Sequence, residues 1–435
     1  MSRTRTIRRR DVLKGTLTAA TALGTPWVAP ASALGLGPLA APSERIGLAF
    51  IGPGGRGRQL VTEMAGRPEV EPLAVCDVHR GVREKVRAMI EDLTAPQRSR
   101  AGYRACQPCR DFRDVLARPD IDAVVLSGPE HTRPTICILA ARAGKDIYAE
   151  KPFALRIREA QAMVAAIRRY GRIFQHGTQR RSNNEWKLRD SCELVRNGRI
   201  GRVTHAVVTV GPPPRDDSSE VRGPSAAPDP EQFDWELWLG PAPWRPCPGG
   251  NGLSGWQGRR DFGLGAIGNW GSHVLDMAQW ALGKDEEGPV EILPPQGEKP
   301  MSLKYSDGKT IYCPRTKGDS AETAVYGTEG AKSIFGGPKI QEKYDRRPLG
   351  PDELQLYRPK NDDHVGNWLE CIRTRKKTIC NEEVAYRSGS LCMLIHIMDQ
   401  LNRPLKYDPV RGEFPGDDEA NRLLDTAKRP PWQVY

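Results

Sequence analysis

The chain has 435 residues, is 38% hydrophobic and 27% charged, and carries a formal net charge of +11. That length favours two domains, and the composition is that of a globular enzyme rather than a disordered or fibrous chain. Much of the basic excess sits at the start, where Arg3, Arg5, Arg8, Arg9, Arg10 and Lys14 face only Asp11. No basic patch interleaved with aromatics follows, which argues against nucleic acid as a partner.

Residues 1–33 read as an export signal. Arg9-Arg10-Asp11-Val12-Leu13-Lys14 has the twin-arginine pattern, a mild apolar stretch runs from Leu17 to Val28, and Ala31-Ser32-Ala33 supplies an A-x-A cleavage site. The stretch is too short and too polar to span a membrane stably. Twin-arginine export machinery reads such an address on folded proteins, so the expected location is the periplasm or the medium, with any cofactor already bound. Residues 34–43 are a linker.

At Ile46–Ile51 an apolar run of strand character leads into Gly52-Pro53-Gly54-Gly55-Arg56-Gly57. In G-x-G-x-x-G the first glycine makes the turn, the second admits a pyrophosphate, and the third lets the next helix pack close. A helix follows the loop, and a strand over Glu71–Val75 ends at Asp77, placed to hold the ribose hydroxyls of a dinucleotide. Asp77 would repel a 2′-phosphate, so NAD is expected, with NADP left open because Arg80 is near.

The α/β alternation continues: helices over Val82–Leu93 and Phe112–Ala117, a buried strand over Ala123–Leu126, a helix over Pro134–Ala143 stopped by Gly144, and a strand over Asp146–Ala149. A helix over Arg156–Tyr170 and a strand over Ile173–Gln175 complete a doubly wound parallel sheet over residues 44–175, with its ligand at the strand C-terminal ends. Arg56 in the glycine loop, and Ser127, Pro129 and His131 after the third of these strands, are assigned to the cofactor groove. Cys106 and Cys109 form the only close cysteine pair; with no second pair at zinc spacing, no metal site is expected, and two unlinked thiols are favoured over a staple.

From residue 176 the pattern changes to an α+β domain extending to 435. A helix is expected over Asn184–Asn197, a strand over Val203–Val210, long Pro-, Gly- and Trp-rich loops over Gly211–Pro230 and Gly240–Gly265, and a helix over Val274–Leu282. Short strands are expected near Ser302–Tyr305, Ala324–Tyr326 and Ser333–Phe335, and helices over Val365–Arg373 and Ser388–Leu401. Loops of such length tend to be functional.

Two clusters carry chemistry. Glu150-Lys151-Pro152 follows a sheet strand, where the proline biases Lys151 to an extended backbone and its ammonium can stabilise a developing oxyanion. In Asn269-Trp270-Gly271-Ser272-His273-Val274-Leu275-Asp276, His273 can take the proton of an alcohol, and Asp276 shares its helix face. Gln179 is placed to reach the cofactor. Arg180 or Arg181 either binds an acidic or sugar substrate or forms a solvated pair, with Arg180 the candidate. His364 has no assigned role, and His396 falls in an apolar helix as a core residue.

Together, Gly52–Gly57, the Glu150-Lys151-Pro152 tripeptide after AGKDIYA, and G-x-H-x-x-D at 271–276 resemble the glucose–fructose oxidoreductase, inositol dehydrogenase and rhizopine-catabolism family (Gfo/Idh/MocA). HVGNWLECIRTRK at 364–376 and RPLKYDP at 403–409 resemble its exported members. The resemblance implies a Rossmann domain followed by a mostly antiparallel open sheet, NAD(P) between them, and a homo-oligomer, with sheet-to-sheet dimers the usual form. It implies Lys151 as the catalytic lysine, His273 as the acid/base histidine, and Asp276 as the acid that follows it. Asn269 departs from the Asp common at its position, and an amide cannot stabilise imidazolium by charge.

The expected function is an exported NAD(P)-dependent oxidoreductase transferring hydride between a sugar or polyol carbinol carbon and a tightly bound nicotinamide, with Lys151, Arg180, Asn269, Trp270, His273 and Asp276 facing substrate. The alternatives are a redox-neutral, NAD-dependent glycoside hydrolase and a non-catalytic sugar-binding relative.

Overall fold

A computed structural model describes residues 44–97, 103–182, 187–215, 228–247, 255–316 and 321–435. The expected export signal, the linker and the first turn of the helix expected from Asn184 lie outside the described residues.

The first sheet contains β1 (Ile46–Ile51), β2 (Val70–Cys76), β3 (Gln107–Cys109), β4 (Ala123–Leu126), β5 (Asp146–Ala149) and β6 (Phe174–His176), in the order β3-β2-β1-β4-β5-β6. Every pairing is parallel. The order reverses between β1 and β4, so a crevice opens at their C-terminal ends. β1, β4 and β5 are buried along their whole lengths, as their unbroken apolar runs require. β3 is the strand not anticipated. It is a short edge strand, where Pro108 needs no ladder donor. Cys106 and Cys109 flank it as thiols, and all ten cysteines are free.

Alternation along β1 decides which helices cover which face. Ala49 and Ile51 pack with Val115, Ile136 and Ile157 from helices Phe112–Ala117, Arg133–Arg142 and Ile157–Arg169. Leu48 and Phe50 face the other way, against Leu60 and Val61 of helix Gly55–Met64 and Val86 of helix Arg80–Leu93. Helix His364–Thr374, from late in the chain, completes this second face: Val365, Trp368 and Leu369 join the same buried cluster. His364 anchors it, with Nδ1 2.7 Å from Ser182 Oγ and Nε2 2.9 Å from the His176 carbonyl.

The second sheet has seven strands: β7 (Val203–Val208), β8 (Glu291–Leu293), β9 (Met301–Lys304), β10 (Thr310–Cys313), β11 (Thr323–Gly327), β12 (Ala331–Phe335) and β13 (Leu405–Lys406). Its order is β12-β11-β7-β10-β9-β8-β13, and only the β7–β10 pair is parallel. β8, β10 and β13 are too short for alternation to show in the sequence. Helix Gly271–Leu282 lies on this sheet and is buried on every side, mostly apolar but with Ser272, His273, Asp276 and Gln279 buried along it. Gly283 ends it at φ +71. Helix Glu382–Leu401 starts well before Ser388, because Asn381 caps it: the side chain accepts from the Glu383 and Val384 N–H groups.

Candidate active site

The glycine loop closes β1 as expected. Gly52 sits at φ +69, a left-handed conformation open to glycine at no cost. A Cβ on Gly57 would run into the Ser127 side chain, so this glycine brings helix Gly55–Met64 close to the end of β4. A Cβ on Gly54 or Gly55 would meet nothing within 4 Å, so open space lies over the loop at the helix N-terminus. A groove of about 470 Å³ runs over this point. Gly52, Gly54, Gly55, Arg56, Asp77, Ser127 and Pro129 line it, together with Trp238, Trp256 and Trp432. Asp77 stands at the end of β2, with Oδ1 accepting from the His79 N–H, and burial raises its carboxyl to about 6. Bare loop glycines under open space, a helix N-terminus and a carboxylate at the second strand fit a dinucleotide.

Beside the groove stands the second cluster. Arg56 lines the groove and pairs with Glu150 at 3.0 Å, and Gln179 donates to the same carboxylate at 3.0 Å and to the Tyr148 hydroxyl at 2.8 Å. Lys151 follows. Its ammonium donates to Asn269 Oδ1, joining the end of β5 to the second half of the chain. Gly268 makes that approach feasible: a Cβ there would lie 2.7 Å from Leu264 Cβ and 3.2 Å from Pro152 Cγ. Arg133, itself buried, holds the lysine loop in place by donating to the Pro152 and Gly128 carbonyls at 2.5 and 2.9 Å.

His273 lies in the first turn of helix Gly271–Leu282, its N–H bonded to the Trp270 carbonyl at 3.0 Å and its ring 5.8 Å from the Trp270 ring. Among the described residues, Nδ1 has no hydrogen-bond partner. Burial, followed by the charges of Lys151 and Arg180, pushes the imidazole down to about 3, so it is neutral. Burial also holds the Lys151 ammonium below its ordinary value, opposed by Glu150. An ammonium donor within electrostatic reach of a neutral imidazole whose Nδ1 is unpartnered among the described residues is a pair that can remove the proton of an alcohol. Arg180 completes this wall, its guanidinium 5.5 Å from the Phe335 ring.

Two expectations are corrected. His131 does not line the cofactor groove. It is buried between Trp238 and Phe262, with Nε2 2.8 Å from the Trp238 carbonyl. Asp276 does not face substrate. It is fully buried and takes three bonds of 2.8–3.0 Å from Arg181, which also reaches Asp285. A carboxylate one helical turn from a histidine can face a core arginine as readily as a ligand, and only the position of Arg181 decides between them.

Glu130, neighbour of the misplaced histidine, is the residue that sequence reasoning missed. Oε2 accepts from the Leu264 N–H at 2.9 Å, and Oε1 has no partner among the described residues. Burial raises this carboxyl to about 7. It lies against Gly268 under the lysine loop. Trp432 was also missed, since nothing in a mixed tail predicts that it returns to the groove.

Comparison with known proteins accords with this geometry. Residues 46–178 match the profile described as "Oxidoreductase family, NAD-binding Rossmann fold", and residues 222–434 match its companion, "Oxidoreductase family, C-terminal alpha/beta domain", both of Gfo/Idh/MocA. The chain belongs to the Gfo/Idh/MocA oxidoreductase family. The uncharacterized oxidoreductase YrbE of Bacillus subtilis (strain 168) is 22% identical over 361 residues, 77% of this chain and 92% of its own. A glycosyl hydrolase family 109 protein of Shewanella sp. (strain W3-18-1) is 31% identical over 134 residues, 31% of this chain and 28% of that one. Among solved folds, the WlbA dehydrogenase from Bordetella pertussis, in complex with NADH and UDP-GlcNAcA, superposes with a TM-score of 0.57 at 18% identity, covering 84% of this chain and 99% of that one. A levoglucosan dehydrogenase in complex with NADH and levoglucosan superposes with a TM-score of 0.53 at 16% identity, covering 84% and 100%. Among the described residues, no helix is long and apolar enough to cross a membrane, and no group of three or more His, Cys, Asp or Glu could hold a metal ion.

Proposed function

We propose that this protein is an exported oxidoreductase acting on a CH–OH group of a sugar or polyol, with NAD retained in the groove. The observation that carries the reading is the Lys151 ammonium held by Asn269, next to the Glu150 that pairs with Arg56 of the groove and within electrostatic reach of His273, whose Nδ1 has no partner among the described residues. The nicotinamide, when bound, supplies the hydride chemistry. Lys151 would donate to the substrate oxygen and stabilise charge developing there. Asn269 would hold the ammonium in position, His273 would take the hydroxyl proton, and Trp270 would offer a flat wall to the sugar ring. Two features favour NAD over NADP: the Asp77 carboxylate, and the engagement of Arg110, the basic residue lining that end of the groove, by Glu231 at 2.7 Å. The twin-arginine pattern of residues 9–14 supports export, and three tryptophans over the groove suit a cofactor kept through many turnovers.

Lys151→Ala should cut turnover by about 10²–10⁴-fold while NAD binding survives. Undiminished activity in that variant would remove the lysine from the reaction. Wild-type protein purified gently should carry cofactor stoichiometrically, and none would count against retention.

A second reading, redox-neutral glycoside hydrolysis, is favoured by the likeness to the family 109 protein. Steady release of free sugar with no net change in nicotinamide absorbance would select it.

A further inference from the structure

A second cavity, of about 710 Å³, lies behind Trp270. It is separate from the cofactor groove, and none of the residues assigned to the cofactor lines it. Trp270 links the reaction centre to the cavity: it lines the cavity, and its ring is 5.8 Å from that of His273 and 6.4 Å from that of Phe335. Phe335 and Tyr344 continue the wall, so the cavity presents three aromatic rings beginning at the proposed reaction centre.

Its lining charges are two of each sign, Lys187 and Lys332 against Asp190 and Glu342. Lys332 pairs with Glu342 at 2.8 Å and lies over the Tyr344 ring at 4.8 Å. Helix Leu188–Arg196 opens its N-terminus on the cavity, but Asp190 already places a carboxylate in that first turn. Among the described residues that line it there is no arginine; Arg180 and Arg346 lie against the Phe335 and Tyr344 rings without lining the cavity themselves. A nucleoside diphosphate calls for forked donors or an unopposed helix terminus, and this cavity gives it neither. Flat apolar rings among lining charges that sum to zero suit an uncharged ring with one apolar face and many hydroxyls.

We propose that the cavity behind Trp270 is a subsite for a second, uncharged sugar ring, so that the natural substrate is a neutral oligosaccharide or glycoside whose reacting unit lies at Lys151 and His273. The proposal rests on the redox reading of that pair. A cavity of about 300–1,000 Å³ encloses a drug-sized ligand, and a disaccharide is of that size.

The test uses the full chain with NAD and matched probes: glucose with cellobiose and maltose, and N-acetylglucosamine with its β-1,4-linked dimer. At least one disaccharide should show a KM about tenfold below that of its monosaccharide, at similar kcat. Tyr344→Ala and, as an independent obstruction, Ser333→Trp should each remove that advantage and leave the monosaccharide constants unchanged. Equal or poorer use of every disaccharide would overturn the proposal, as would variants that weaken both substrates alike. If no sugar is oxidised although NAD binds, the redox reading fails by itself. Calorimetric binding of the same pairs to wild type and Ser333→Trp then decides the subsite, and no preference for the larger sugar overturns it.

Discussion

Arg181→Met isolates a structural charge pair from the reaction it adjoins. In the native protein the Arg181 side chain is 2% exposed and Asp276 is 0% exposed. The guanidinium bonds both Asp276 oxygens and Asp285, and it lies 5.2 Å from the Trp280 ring. Methionine keeps most of the volume and strands the carboxylate in the core. Breaking a buried pair from one side costs about 3–5 kcal/mol, a large share of the ~5–15 kcal/mol that holds a typical domain together. Guanidinium chloride unfolding should show a midpoint moved sharply down at an unchanged slope. Adding Asp276→Leu to Arg181→Met should recover much of the loss, because it removes the stranded charge. On folded protein, Asp276→Asn should retain turnover. A large fall in kcat/KM for Asp276→Asn with no movement of the midpoint would show that Asp276 touches substrate and would refute the structural assignment.

Trp432→Ala should weaken NAD binding by about 10–100-fold, the value of one buried apolar side chain, since its ring lies 6.1 Å from Phe112 at the groove; equilibrium dialysis checks this. His273 is held down to about 3, so kcat/KM for alcohol oxidation should show no acid limb from this residue near pH 6.5. Asn269→Asp, by restoring a carboxylate, should raise the imidazole and bring such a limb into the measurable range. Burial raises Glu130 from 4.5 to about 7 in the folded state, so its contribution to stability is full below pH 4.5 and is lost as pH rises through about 7. Glu130→Gln should therefore flatten the fall in stability over that window, measured by denaturation at a series of pH values.

Most of the first sheet was legible because β1, β4 and β5 are buried along their whole lengths and two of its helices are stopped by Gly144 and Gly171. The glycine loop and Asp77 could be placed because a dinucleotide imposes both a spacing and an order along the chain. Lys151, Asn269 and His273 were legible as candidates, but their pairing was not. The sequence suggested an amide serving the imidazole, whereas Asn269 serves the ammonium. His131 and Asp276 were misplaced because a polar residue near a site looks the same in sequence whether it faces a ligand or a buried partner. Trp238 carries the carbonyl that holds His131, and Arg181 holds Asp276. β8, β10 and β13 owe their conformation to neighbouring strands rather than to local pattern, so periodicity had nothing to report.

The helix at His364–Thr374 has a consequence for how the molecule is made. It covers apolar side chains of a sheet whose last strand ends at His176, so the nucleotide-binding half stays unfinished until nearly the whole polypeptide has left the ribosome. A fragment cut after β6 would uncover Tyr148, whose ring lies 5.6 Å from that of Trp368, and should aggregate. The nucleotide-binding half is therefore completed only when residues 364–374 are available to it.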